Sequence, residues 1–429
     1  MSKVKHLFWV SFLVGISTGL AVSFYVIFTK LISYTLYLGK PEETIPHLPF
    51  WYVAFVTTSS ILMVNLIILH NEKAREYGVR EIAQALEENR MTFNLGDLAL
   101  KIVASALSIG SGFAVGNEGP SAAIGAMIAY RFHSLFKLPK ELLKVLIGVG
   151  ASSGIAAVFV SPITGIVFAV ENVAYFLIKD FVGFMVIGSF SAFVVALNFL
   201  SPLIFNYSIG KQVQPDYLLS LLLFVPFITV AIYLYLLIRD RLLYFLSTTV
   251  QYRLSPFLKA AVISLVGGLT VAAVLKVSPY GGFSGHEVVE ALINSKIHLP
   301  LLTLFLLAVL RIVANAVSLY SNAVGGLFIT LMSIGALTGY AFAELITYLG
   351  IPVEPFYFAA IGAAVFVGVV MKIPFTAVVL ALETTYDYNV VIPTGLVVAL
   401  VGLMASATFE LRKTFLRRPP KKEQAPSDT

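Results

Sequence analysis

Gly116-Asn117-Glu118-Gly119-Pro120, followed by Ser121-Ala122-Ala123-Ile124-Gly125-Ala126-Met127-Ile128-Ala129-Tyr130, is the stretch that decides the fold. It lies between long apolar stretches of a 429-residue chain that is 58% hydrophobic. The run after Pro120 reads as a helix, with Pro120 in its first turn, where the missing N–H does no harm. Glycines leave the backbone before it open to close approach. A carboxylate at this depth costs roughly 2.5–3.5 kcal/mol on insertion scales, so its presence needs a reason. A helix N-terminus inside a membrane protein is a ready anion site, with unpaired N–H groups and the positive end of the helix dipole. Glu118 puts its own charge where a transported anion would bind. That predicts a gate and a proton carrier.

Composition sets the class. The charged fraction is 12%, about half that of a soluble domain. The mean hydropathy is +0.90, so the chain reads as an integral, almost wholly embedded membrane protein. With no cysteine, disulfides, thiolate metal sites and cysteine nucleophiles are excluded together. The six histidines (His6, His47, His70, His133, His286, His298) lie at or near segment ends without metal-ligand spacing, so neither metal nor cofactor is expected. No His pair or Ser/His/Asp arrangement points to an enzyme. The apolar run from Leu7 to about Tyr37 is too long for a signal peptide and reads as a retained first helix. The segment from Arg412 to Lys422 is strongly basic. The positive-inside rule puts it, and the start of the chain, in the cytoplasm. Nothing else is basic enough to suggest nucleic acid, and the bilayer is the expected partner.

Long spanning segments are expected at 7–37, 50–70, 183–205, 216–239, 258–276 and 299–320. The others are short and interrupted: 97–109, 120–132, 143–160, 162–177, 326–346, 355–372, 374–383 and 391–408. Most fall below the ~20 residues of a full crossing, as broken helices do in secondary transporters.

The chain also repeats itself. Lys101-Ile102-Val103-Ala104-Ser105-Ala106-Leu107-Ser108-Ile109 matches the segment Arg311 to Leu319. Pro162 to Glu171 matches Pro374 to Glu383, and Glu81 to Leu86 matches Glu287 to Leu292. The offsets are 210, 212 and 206, in order along the chain. The expected organisation is a first half at 1–208, a second half at 209–415, and a basic, disordered cytoplasmic tail at 416–429. Transporter folds favour an inverted second half. With one gap, Gly116-Asn117-Glu118 aligns over Gly325-Gly326-Leu327, so each half has a glycine-led helix start and only the first carries an acid.

At these residues the chain resembles the CLC family of chloride channels and anion/proton antiporters. Gly116 to Pro120 is similar to the family's G-[KR]-E-G-P signature, and Gly325-Gly326-Leu327-Phe328-Ile329-Thr330 to its G-G-I-F-A-P element. Pro162 to Glu171 and Pro374 to Glu383 resemble its paired P-x-x-G-x-x-F/L-x-x-E segments. The resemblance implies an all-α inverted repeat of tilted and broken helices, and a homodimer with one pore per subunit. It implies that Glu118 gates and couples protons. Backbone at Gly116, Asn117, Gly119, Gly326, Leu327, Phe328 and Ile329 would line the anion site. The nucleotide-binding domains of some relatives are not expected after the last helix, and a prokaryotic plasma membrane is the expected location.

Asn117 stands where chloride transporters carry Arg or Lys, which resembles the fluoride-exporting subgroup with its G-N-E-G-P signature. The first family motif, G-S-G-I-P-E, is degraded to Glu76-Tyr77-Gly78-Val79-Arg80-Glu81, so Tyr77 or Val79 replaces the ion-coordinating Ser. Val79 also resembles the fluoride subgroup. Asn172 replaces the internal proton-transfer Glu, and Phe409 or Phe415 stands near the late central Tyr.

The expected function is exchange of a halide, fluoride ahead of chloride, for protons. A passive CLC-type chloride channel is the alternative. Other marked residues have plainer readings. Glu171 and Glu383 bond backbone at helix ends, and Lys101 and Arg311 pair with carboxylates or snorkel. Tyr386 and Tyr388 are interface aromatics. Gly148, Gly150 and Gly154 permit close packing.

Overall fold

A computed structural model describes residues 2–75, 82, 94–172, 178–206, 215–249, 254–293 and 300–416. The first half contains α1 (Ser2–Leu36), α2 (Phe50–His70), α3 (Leu95–Gly110), α4 (Glu118–Leu135), α5 (Leu143–Phe159), α6 (Pro162–Asn172) and α7 (Ile178–Ala196). The second contains α8 (Pro215–Thr249), α9 (Pro256–Val277), α10 (His286–Ile293), α11 (Leu301–Tyr320), α12 (Phe328–Tyr348), α13 (Pro355–Met371), α14 (Pro374–Thr385) and α15 (Val391–Leu416). Eight helices among the described residues are long and apolar enough to cross a membrane. The protein is an integral, multi-pass membrane protein of all-α class.

Most boundaries fall within two or three residues of the hydropathy reading. Three differ for physical reasons. The segment expected at 183–205 leaves the helix after Ala196. Pro202 disfavours helix at Ser201, and Phe205 N–H instead donates to Thr384 O at 2.7 Å. The segment expected at 216–239 continues to Thr249. There Arg239 lies 5.3 Å over the Tyr235 ring and bonds Asp240, so charge ends the apolar run without ending the helix. Likewise, α15 runs on to Leu416.

The halves are related by reciprocal contacts, as a twofold arrangement requires. Tyr25 bonds Ser105 at 2.6 Å, and Tyr235 bonds Asn315 at 3.1 Å, each partner 210 residues from its counterpart. Ser318 Oγ accepts from Ala114 N–H at 2.8 Å, and Ser108 Oγ accepts from Val324 N–H at 3.0 Å. The packing repeats as well. A methyl group on Gly125 would run into Gly150 O of α5, and one on Gly335 would run into Gly362 O of α13. Only hydrogen at these positions lets the helix backbones touch, and contact at that range is what holds membrane helices together. Gly154 packs in the same way against Ser121.

Candidate functional site

The site lies where α4 and α12 begin. Gly116 and Gly326 exchange both backbone hydrogen bonds, N–H to O at 2.7 Å each way, as an isolated antiparallel bridge. Two residues later each chain turns into helix, α4 at Glu118 and α12 at Phe328, with Asn117 and Leu327 as the matched N-caps. From Lys101 to Glu118 the repeat therefore runs at 210 without a gap. This corrects the alignment of Glu118 with Leu327: Phe328 is the counterpart of Glu118, and Leu327 that of Asn117. The error arose because the glycine pair at 325–326 allows either register, and backbone pairing, invisible in the sequence, selects one.

Glu118 is buried, with 2% of its surface exposed. Its carboxylate crosses to the other half, where Ile329 N–H donates to Oε1 at 2.5 Å. The other oxygen, Oε2, is buried and accepts no hydrogen bond among the described residues. A side chain on Gly116 or on Gly326 would occupy the same space as this carboxylate. Those glycines thus contribute room, while their N–H groups are spent on each other. Gly119 faces the backbone of Gly326, and Asn117 Oδ1 is buried without a hydrogen-bond partner among the described residues. The Phe328 ring packs 4.3 Å from that of Phe159 and 5.6 Å from that of Phe168. Tyr77 and Val79 lie outside the described residues, as do the side chains of Phe409 and Phe415 and the tail beyond 416.

A cavity of about 330 Å³ is lined by Asn117, Glu118, Phe159 and Ile329 at one part and by Lys30, Glu42 and Glu287 at another. Chemically, this is a pocket where a negative group sits on an N–H donor at the positive end of a helix. Any anion of suitable size competes with the carboxylate for that donor.

The remaining marked residues resolve into structure. Glu171 of α6 accepts from Phe375 N–H at 3.0 Å and Thr376 N–H at 2.7 Å, and from the Thr376 hydroxyl. Reciprocally, Glu383 of α14 accepts from Ile163 N–H at 3.0 Å, Thr164 N–H at 2.5 Å, and the hydroxyls of Ser161 and Thr164. Each acid caps the other half's helix. Asn172 turns back to Phe168 O at 3.3 Å. Arg311 corrects an expectation: it does not snorkel, and among the described residues it pairs with no carboxylate. It is fully buried and donates to Ser333 Oγ, Tyr280 O and Gly282 O at 2.7–2.8 Å. Carbonyls freed by the turn at 279–285 satisfy it instead. Lys101 is buried as well, so it does not snorkel. Tyr386 and Tyr388 are exposed. Sequence reading missed the Ser108/Ser318 and Tyr25/Tyr235 pairs, though a constant 210 spacing links both.

A profile described as voltage gated chloride channel matches residues 56–406. The H(+)/Cl(-) exchange transporter ClcA of Vibrio cholerae is 27% identical over 415 residues, covering 92% of this chain and 85% of its own. ClcA of Vibrio vulnificus is 25% identical with the same coverage. A slow cyanobacterial Cl-/H+ antiporter superposes with a TM-score of 0.81 at 21% identity, over 96% of this chain and 98% of its own. A CLC-type fluoride/proton antiporter does so at 0.76 and 17%, over 95% and 97%.

Proposed function

The chain belongs to the voltage gated chloride channel family, and from that premise we propose that it exchanges a halide anion for protons, with Glu118 as gate and proton carrier. The observation that carries the reading is the 2.5 Å bond from Ile329 N–H to the Glu118 carboxylate. Deprotonated, Glu118 occupies the donor an anion needs. Protonation removes the charge that holds it to the helix end, and the anion takes its place. One site serving both ions in turn gives exchange rather than leak. Asn172 offers no carboxylate for the inner proton step, and Glu171 is committed to capping α14.

Fluoride is the anion favoured by Asn117 and Val79, neither of which resembles the chloride pattern. Chloride is the second reading, supported by the exchange activity in the names of the relatives. The family resemblance further supports a homodimer in a prokaryotic plasma membrane.

Two measurements on proteoliposomes test this. Efflux of fluoride and chloride, read in parallel with ion-selective electrodes, decides the anion: equal rates or faster chloride remove the fluoride reading. In Glu118→Gln, proton pumping driven by an anion gradient is expected to vanish while anion flux survives. Undiminished pumping would rule out Glu118 as the proton carrier.

A further inference from the structure

The cavity that reaches Glu118 has a charged mouth. Glu42, Glu43, Glu287 and Glu290 line it, against Lys30 and Lys40. That is four carboxylates against two ammonium groups, and Lys40 is already 3.4 Å from Glu43. A negative mouth repels the anion that the deeper site is built to hold. Glu287 is turned back onto its own helix start, accepting from Ser284 Oγ and Gly285 N–H at 3.3 Å each. Its charge stays on the wall.

His286 lies in the same wall, at the first position of α10. Burial pushes its imidazole below the usual histidine range; Glu287 and Glu290 of its own helix oppose that, and Lys30 of α1 adds to it. Tyr34 of α1, Tyr280 of the turn before α10 and Glu118 line the cavity with it, and Arg311 of α11 feels the charge of Glu287. In sequence, the repeat pairs Glu287 with Glu81, which places His286 opposite Arg80, a permanent cation. The first half thus has a fixed positive charge where the second has a titratable one. Histidine is the side chain whose charge ordinarily changes near neutral pH. Among the described residues, no three His, Asp or Glu side chains are placed to hold a metal ion. Charge is therefore what this cluster offers.

We propose that His286 is a second titrating group of the transport path, which sets how readily an anion enters the cavity, separately from the gate at Glu118. This rests on the anion-exchange reading above. Protonated, the imidazole offsets one carboxylate of the mouth and raises the local anion concentration. Neutral, it leaves the acidic wall unopposed.

The test removes the titration at position 118 first. Halide efflux is measured from proteoliposomes of Glu118→Ala at equal pH on both faces, from roughly pH 8 down to about pH 4.5, because burial moves this imidazole below the range in which histidine ordinarily titrates. Efflux is expected to rise roughly three- to tenfold toward the acid end, the scale of a one-charge change in a focusing cleft. Glu118→Ala/His286→Gln should be flat at the slow level, and Glu118→Ala/His286→Arg flat at the fast level. The double variants also control for the remaining carboxylates, lysines and tyrosines of the wall. A pH-independent Glu118→Ala protein, or a pH slope that survives in the Gln double variant, overturns the proposal. Neither outcome touches the Glu118 reading, which stands or falls on proton pumping in Glu118→Gln.

Discussion

The carboxylate of Glu118 fills the space that a methyl group on Gly116 would occupy. The nearest atoms to such a methyl all belong to this one side chain. Room at Gly116 therefore serves the Glu118 side chain rather than the backbone turn, since Gly116 does not sit in the left-handed region that demands glycine.

From this follows a coupled pair of substitutions. Gly116→Ala is expected to slow exchange by about tenfold, roughly 1.4 kcal/mol, because the gate can no longer return to its donor. In a Glu118→Ala background the same methyl meets no carboxylate, and its effect on anion flux should shrink to within about twofold. Flux assays on the four proteins read the non-additivity. Equal losses in both backgrounds would assign Gly116 to the backbone turn instead.

Glu171 and Glu383 give a prediction of the opposite kind. Each caps the start of the other half's helix with charge-assisted bonds, so Glu171→Gln and Glu383→Gln turn an amide N–H₂ toward donors. An unsatisfied buried donor costs roughly 1–3 kcal/mol. Both variants should melt several degrees lower in detergent while keeping the wild-type ratio of protons to anions. A changed ratio in Glu171→Gln would make that residue, rather than a route past Asn172, part of the proton path.

Much of this was legible in the sequence. Apolar length and the Gly-Pro interruptions placed the helices, because insertion into hydrocarbon acts on each segment locally. The repeated segments pointed to two matched helix starts, and these meet at Gly116 and Gly326. Three things were not legible. Gly325 and Gly326 are chemically alike, so the register at the second helix start awaited the pairing of Gly116 with Gly326. The vestibule joins α1, the turn after it and α10, which lie far apart in the chain. Nor does a sequence show whether a buried arginine faces a carboxylate or a set of carbonyls.

That last case yields the remaining prediction. Arg311 ties the wall of the cavity to α12. Its Nη1 holds Tyr280 O and Gly282 O, its Nε holds Ser333 Oγ, and Thr330 of the same helix bonds Ser284 O at 3.1 Å. Ser333 lies about one turn beyond Ile329, the donor to Glu118. The fork of the guanidinium spans these acceptors, whereas the ammonium of lysine is a single point. Arg311→Lys keeps the charge but leaves at least one buried carbonyl unpaired, at roughly 1–3 kcal/mol. It is expected to fold, melt lower and exchange more slowly, because Ile329 loses its fixed position relative to the wall. Arg311→Met orphans all of these acceptors and should give no monodisperse protein in detergent. Were the charge alone at work, drawing anions inward, the Lys variant would match the wild type in both melting and turnover. Side-by-side melting curves and efflux rates separate the two roles.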